Sequence, residues 1–259
     1  MIEMKYVLTI AGSDSCGGAG IQADIKTITS LGAHPLTVIT AITSQNSMAV
    51  SGIYEVPESV IQSQIEAILK DIQPNSVKTG MMPSEKVIMK VAGVLKKSRL
   101  KNIVVDPVIK ASTGRGLMTD SAVNALKNKI LPLASVVTPN LYEAGILTEM
   151  DVKSINDMER ASIKLKELGP DVVVTGGHLD KICVDILYDG REIHYFEGEK
   201  IDTYNTHGSG CVFSASLATY MAIGNDIVES TRLAHDFTRK AIKNSYSCGK
   251  GAGVVRPGH

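Results

Sequence analysis

The chain has 259 residues, enough for one large α/β domain spanning 1–259 with no second one required, and with no Trp and only 3 Phe its core must be largely aliphatic. Lys plus Arg (27) equals Asp plus Glu (27), which argues against a broad nucleic-acid surface and leaves room only for a local basic pocket. No stretch approaches the roughly 18 apolar residues of a membrane span, no signal-peptide pattern opens the chain, and Cys16, Cys183, Cys211 and Cys248 are scattered without metal spacing, so a reduced, cytoplasmic protein without disulfides is expected.

In chain order, a β-branched strand over 6–10 runs into the loop Ala11-Gly12-Ser13-Asp14-Ser15-Cys16-Gly17-Gly18-Ala19-Gly20 and then a helix over 19–31. The loop does not fit G-x-x-x-x-G-K-[ST], which excludes a P-loop, and its glycines are bunched rather than spaced for a dinucleotide. It could let backbone approach a small ligand, with Asp14 and Asp24 nearby, or simply make a tight strand–helix turn. Strands are then expected at 36–41, 76–79, 102–106, 135–138 and 171–175, alternating with helices at 58–69, 84–97, 120–129, 141–147 and 155–168. Ser84 with Glu85, and the stretch 154–157, read as N-caps. Segments 183–188 and 192–197 flank Asp189-Gly190, a two-residue hairpin signal. This alternation predicts an α/β/α sandwich around a mostly parallel sheet with an antiparallel edge hairpin, and a loose tail over 249–259.

The most informative stretch is Asn205-Thr206-His207-Gly208-Ser209-Gly210-Cys211, followed at once by the small, apolar run 212–218 that reads as a helix. Turning through two glycines into a helix start aims backbone N–H groups and the positive dipole end at one point, which suits an anion and would ease ionisation of the Cys211 thiol. A glycine-rich loop before an ordinary helix with a buried Cys fits the same residues. In a doubly wound sheet ligands bind at the carboxyl ends of the strands. Gly12 to Gly20, Asp106, Asn140 with Glu143, and Gly176-Gly177 all fall at such ends.

Five ordered motifs carry a resemblance: 11–20, the run Ala41-Ile42-Thr43-Ser44-Gln45-Asn46-Ser47, Asp106-Pro107-Val108, Thr138-Pro139-Asn140-Leu141-x-Glu143-Ala144, and 206–211. Over essentially its whole length the chain resembles the hydroxymethylpyrimidine/phosphomethylpyrimidine kinases of thiamine synthesis, in the ribokinase superfamily alongside pyridoxal kinases. The resemblance implies a ribokinase-like fold, ATP as co-substrate, Mg2+, a small pyrimidine acceptor and a homodimer, with no nucleic-acid or membrane partner. It makes Cys211 the proton acceptor, where sugar kinases of the superfamily carry Asp, and gives Gly208, Ser209 and Gly210 the transferred phosphoryl. Gln45 would read the aminopyrimidine edge, since a carboxamide both donates and accepts, in a pocket lined by Gly12, Asp24, Met81 and Val108. Met81 could equally fill the core. Asn140, Thr175, Gly177 and Thr206 would hold ATP, and Glu143 with Asp106 would hold Mg2+, in part through water. Asn140 and Glu143 also read as an ordinary helix cap.

His207 fits a loop-fixing hydrogen bond as well as direct catalysis. Thr175 stands where the family often carries Lys, and Cys16 where Ser or Pro is expected. Segments 13–20 and 111–116 are expected to close over the acceptor, with Arg115 either adding a cation to the phosphate or remaining solvated. Beside the pyrimidine kinase stand two alternatives: a pyridoxal kinase, and a vitamin- or nucleotide-binding sensor on a kinase scaffold.

Overall fold

The structure is a computed structural model that describes residues 3–177, 179 and 182–258. Side-chain alternation in the strands divides the core. In β1 (Tyr6–Ser13) Val7 faces one helical layer while Leu8 and Ile10 face the other. The same split separates Val104 from Ile103 and Val105 in β5 (Ile103–Val105), and Val136 from Val137 in β6 (Val136–Val137). It recurs for Val173 against Val172 and Val174 in β7 (Asp171–Thr175). Strands apolar on both faces are what a parallel sheet covered by helices demands.

With β2 (His34–Gln45), β3 (Val50–Glu55), β4 (Ser76–Thr79), β8 (Cys183–Tyr188) and β9 (Ile193–Gly198), the strands form one nine-stranded sheet in the order β3-β2-β1-β4-β5-β6-β7-β8-β9. β2 to β7 are parallel; β3 pairs antiparallel with β2, and β8 and β9 form the antiparallel ribbon expected around Asp189-Gly190. One face packs α1 (Gly20–Ser30), α7 (Ser209–Ile223) and α8 (Ile227–Lys243). The other packs α2 (Glu58–Leu69), α3 (Glu85–Ser98), α4 (Asp120–Ala125), α5 (Leu141–Thr148) and α6 (Ile155–Lys166). Among the described residues no helix is long and apolar enough to cross a membrane.

The expected strands at 76–79 and 171–175 and the helix at 58–69 have the expected bounds, and most other elements shift by one or two residues. Three differences matter. β3 closes a second antiparallel edge, with Gly52 inside it. The helix expected over 120–129 is α-helical only to Ala125 and continues as a wider turn over Leu126–Ile130 and a tighter one over Leu131–Leu133, where Pro132 enters. The tail is not loose: Tyr246 and Val254 pair antiparallel, Val254 also bridges His207, and Val254 and Val255 are buried, while His259 lies outside the described residues.

Candidate functional site

The ends of β1, β2, β4, β5, β6 and β7 and the start of α7 open on one edge of the sheet. Gly208 caps α7 in the left-handed conformation (φ 87°), and a Cβ there would lie 1.8 Å from the Gly18 carbonyl oxygen. The two glycine loops therefore touch backbone to backbone, which only glycine allows. The Ser209 amide is spent on the Thr206 carbonyl (3.1 Å), whereas those of Gly208, Gly210 and Cys211 find no carbonyl among the described residues. The anion hole expected from Gly208, Ser209 and Gly210 is thus better drawn from Gly208, Gly210 and Cys211, at the positive end of a 15-residue helix.

The Cys211 thiol is not eased toward ionisation as expected. Burial, with the carboxylates of Asp106 and Asp24, pushes it up to about 12 against the pull of the Lys78 ammonium and the Gly20 amide. A helix end offers about 0.3–1 kcal/mol, under one pKa unit, while desolvation of a buried group can reach several units, so burial wins.

Beneath the thiol lies a buried ionic cluster. The Lys78 ammonium is fully buried at 2.9 Å from both oxygens of Asp24 and 3.8 Å from Asp106 Oδ2. Thr9 donates to Asp24 (2.6 Å) and Ser214 to Asp106 (2.8 Å). Burial alone would lower the Lys78 value, but Asp24, Cys211 and Asp106 raise it, so the ammonium stays charged. Asp24, expected to line the acceptor pocket, is fully buried and holds Lys78 instead. Val108 carries its side chain at φ 40°, strained for a β-branched residue, and its amide bonds Asp106.

Asn140 and Glu143 form the capping box of α5: the Asn140 side chain accepts from the Glu143 amide and Glu143 Oε2 from the Asn140 amide, each at 3.0 Å. Glu143 Oε1 accepts from the Ile109 amide (3.2 Å). Burial first, and the Asp106 charge second, push Glu143 up to about 8. Cap and carboxylate site are therefore the same residues.

Among the residues expected to line the acceptor pocket, Gly12 and Met81 meet closely, a Cβ on Gly12 falling 3.0 Å from the Met81 sulfur. Met81 packs with Ala41 and Leu117, joined by Ile53, Val108 and Ala111, as an apolar wall. Gln45, half-buried at the end of β2, accepts at Oε1 from Thr43 (3.3 Å), and its backbone exchanges hydrogen bonds with Ser15. Asp14 organises loop 13–20 by accepting from the amides of Cys16, Gly18 and Ala19. Arg115 donates to the Val50 carbonyl, which occupies its guanidinium at the edge strand. Cys16 is half-buried with its thiol against that of Cys248. Among the residues expected to hold ATP, Asn140 bridges Thr175, Gly177 is exposed with open space where a Cβ would stand, and Thr206 is exposed.

Sequence reasoning missed Lys78, and it placed Asp14 near the ligand without its role as the acceptor that organises loop 13–20. The one signal for Lys78 was a lysine inside a four-residue strand, between Val77 and Thr79.

Comparison with known proteins adds relatives. The family described as phosphomethylpyrimidine kinase matches residues 14–256. The hydroxymethylpyrimidine/phosphomethylpyrimidine kinase of Streptomyces coelicolor is 39% identical over 99% of this chain and 96% of its own. The thiamine biosynthesis bifunctional protein of Geobacter sulfurreducens is 43% identical over 96% of this chain, which spans about half (51%) of that protein. Among solved structures, Bacillus subtilis pyridoxal kinase, as an ADP complex, superposes with a TM-score of 0.91 at 38% identity, covering 98% of each chain.

Proposed function

The chain belongs to the phosphomethylpyrimidine kinase family, and from that premise we propose that it phosphorylates 4-amino-5-hydroxymethyl-2-methylpyrimidine with ATP, and then its monophosphate, for thiamine diphosphate synthesis. Membership makes it an ATP-dependent phosphotransferase, so the sensor alternative falls. The observation that carries the pyrimidine reading is Gln45 at the end of β2, the strand that gives Ala41 to the wall with Met81 and Leu117, together with the unpartnered amides at Cys211.

In this reading the wall and Gly12 seat the ring, and the Gln45 carboxamide pairs with its amine and ring nitrogen. The amides of Gly208, Gly210 and Cys211 take the negative charge of the transferred phosphoryl. With its value near 12, only about one Cys211 thiol in 10⁵ is ionised at pH 7. Cys211 therefore orients the hydroxyl as a neutral thiol, and it takes the hydroxyl proton only from its minor thiolate form, which Lys78 stabilises. Asn140, Thr175, Gly177 and Thr206 face the nucleotide.

The buried acids Asp106 and Glu143 fit Mg2+ held partly through water, because the Asp106 charge disfavours ionisation of Glu143 and no three ligating side chains converge among the described residues. When bound, the ion neutralises charge between the phosphates. The reading includes one kinase domain, a homodimer and a cytoplasmic setting; light scattering on a sizing column would show the dimer as twice 27.6 kDa.

A pyridoxal kinase is the second reading, favoured by the likeness to the Bacillus subtilis enzyme. Steady-state assays with ATP and Mg2+ decide between them. We expect kcat/KM for the pyrimidine and its monophosphate to exceed that for pyridoxal at least about tenfold. The opposite order sinks the pyrimidine assignment.

A further inference from the structure

We infer that His207 is a positioning residue that ties the two loops covering the acceptor, so that loop 13–20 and flap 111–116 open and close as one unit. The inference rests on the acceptor lying between those loops, as in the function proposed above.

His207 is 6% exposed and each ring nitrogen faces a different covering segment. Nε2 lies 2.9 Å from Asp14 Oδ2, in the first loop, and Nδ1 lies 2.9 Å from Ser112 Oγ, in the flap. The partners stand 193 and 95 residues away in sequence, so nothing local forces the ring between them. A carboxylate only accepts, which fixes the hydrogen on Nε2 and leaves Nδ1 to accept from the Ser112 hydroxyl. The ring is also locked from behind. The His207 amide donates to the Gly253 carbonyl, its carbonyl accepts from Val255, and a Cβ on Gly18 would fall 2.4 Å from His207 Cδ2. Gly18 must stay glycine for the loop to reach the imidazole.

Gln45 Nε2 stands 3.4 Å from His207 Nε2. With the Nε2 hydrogen donated to Asp14, two donors face each other there and no hydrogen bond forms. Closing the latch therefore leaves the Gln45 Nε2 hydrogens available to the acceptor. If the His207–Asp14 pair breaks, the hydrogen on His207 Nε2 is free to go to Gln45 Oε1 once that amide flips, which would draw Gln45 from the acceptor. One ring thus couples loop closure to exposure of the group proposed to read the acceptor.

Hydrogen exchange on the protein without substrate tests the latch independently of which vitamin is phosphorylated. His207→Ala should speed amide exchange about tenfold in both 13–20 and 111–116, the change expected for losing a hydrogen bond that holds a local closed state. Ser112→Ala, an exposed change that does not threaten folding, should speed 111–116 in the same way. His207→Gln, which can donate at one atom and accept at another, should recover part of the protection. In turnover, His207→Ala should raise the acceptor KM about tenfold while the ATP KM moves less than about threefold, and raise ATP hydrolysis in the absence of acceptor. Parent-like exchange of 111–116 in both Ala variants overturns the inference. So does a parallel rise in both KM values that follows Tm, which would make His207 part of the scaffold alone.

Discussion

On the acceptor side of the crevice, loop 13–20, the end of β2, the flap and the start of α7 meet through buried polar bonds and glycine-to-backbone contacts. On the nucleotide side, Thr206 and Gly177 stand exposed, with open space beside Gly177. The first region is built so that almost nothing can be exchanged, while the second presents backbone and small side chains to solvent. An acceptor must be told from its analogues by a few polar atoms in a dry pocket, whereas phosphates are held through charge and backbone dipoles that tolerate variation. Substitutions should therefore cost far more at the acceptor end.

The severest test is Lys78→Met. It leaves Asp24 and Asp106 buried without their cation, and breaking a buried pair from one side costs about 3–5 kcal/mol. Urea unfolding should show that loss, and adding Asp24→Asn should recover part of it. A Lys78→Met protein as stable as its parent would mean the cluster is not ionised. Next comes Cys211→Ala, expected to lower kcat by about 10²-fold with ATP binding nearly intact; near-normal kcat would reduce Cys211 to packing. With its thiol pushed up to about 12, Cys211 should also resist iodoacetamide at pH 7.

Gln45→Ala should weaken pyrimidine binding by about 1–3 kcal/mol by calorimetry, since the polar edge of the ligand loses its partner in a dry pocket. Unchanged affinity would remove Gln45 from the site.

How far the sequence could be read differs between the same two regions. Asn140, Glu143, Thr175 and Gly177 were legible because strand ends, a capping box and a Gly-Gly turn are local patterns. Residues 227–243 were left unassigned although α8 is amphipathic along its length, with Ser230, Thr231, Ala234, His235, Thr238 and Ala241 on its buried face; the helical period was present and was passed over. β3 was hidden by Gly52 within six residues. On the acceptor side, Asp24 could be placed near the site but not given its partner: a lysine at a strand end reads as solvated until the sheet closes over it. His207 was equally ambiguous, because both its partners come from distant segments. Cys211 lies at the helix start the sequence shows, but its thiol is raised rather than eased, because the desolvation and the carboxylates around it are not visible in sequence.

Glu143 sits between the two halves and supplies the pH test. Its value is about 8 in the fold against 4.5 as an isolated side chain, so between those limits the native state keeps a proton that the unfolded chain gives up. Stability should therefore fall as pH rises from about 4.5 to about 8. Tm should drop by a few degrees over that window in the parent, for a change of order 1 kcal/mol or more, and Glu143→Gln should lack the drop. Mg2+, which needs the carboxylate ionised, should restore more Tm at pH 8 than at pH 6. An identical slope in parent and variant would assign the titration elsewhere.

The mildest change probes the permissive end. Thr175, at the end of β7, occupies the place where the family often carries Lys, and it is half-buried two residues before the exposed Gly177. Thr175→Lys keeps the β7 ladder, because the Thr175 amide donates to Pro139 (2.9 Å) and a lysine keeps that amide. The new ammonium would extend on a flexible stem to the phosphates, where a partly solvated charge contact contributes about 0.5–1 kcal/mol. The ATP KM should fall two- to fivefold, with the acceptor KM and Tm unchanged. A rise in ATP KM would show that side to be as closely fitted as the acceptor side, and the contrast between the two halves would be lost.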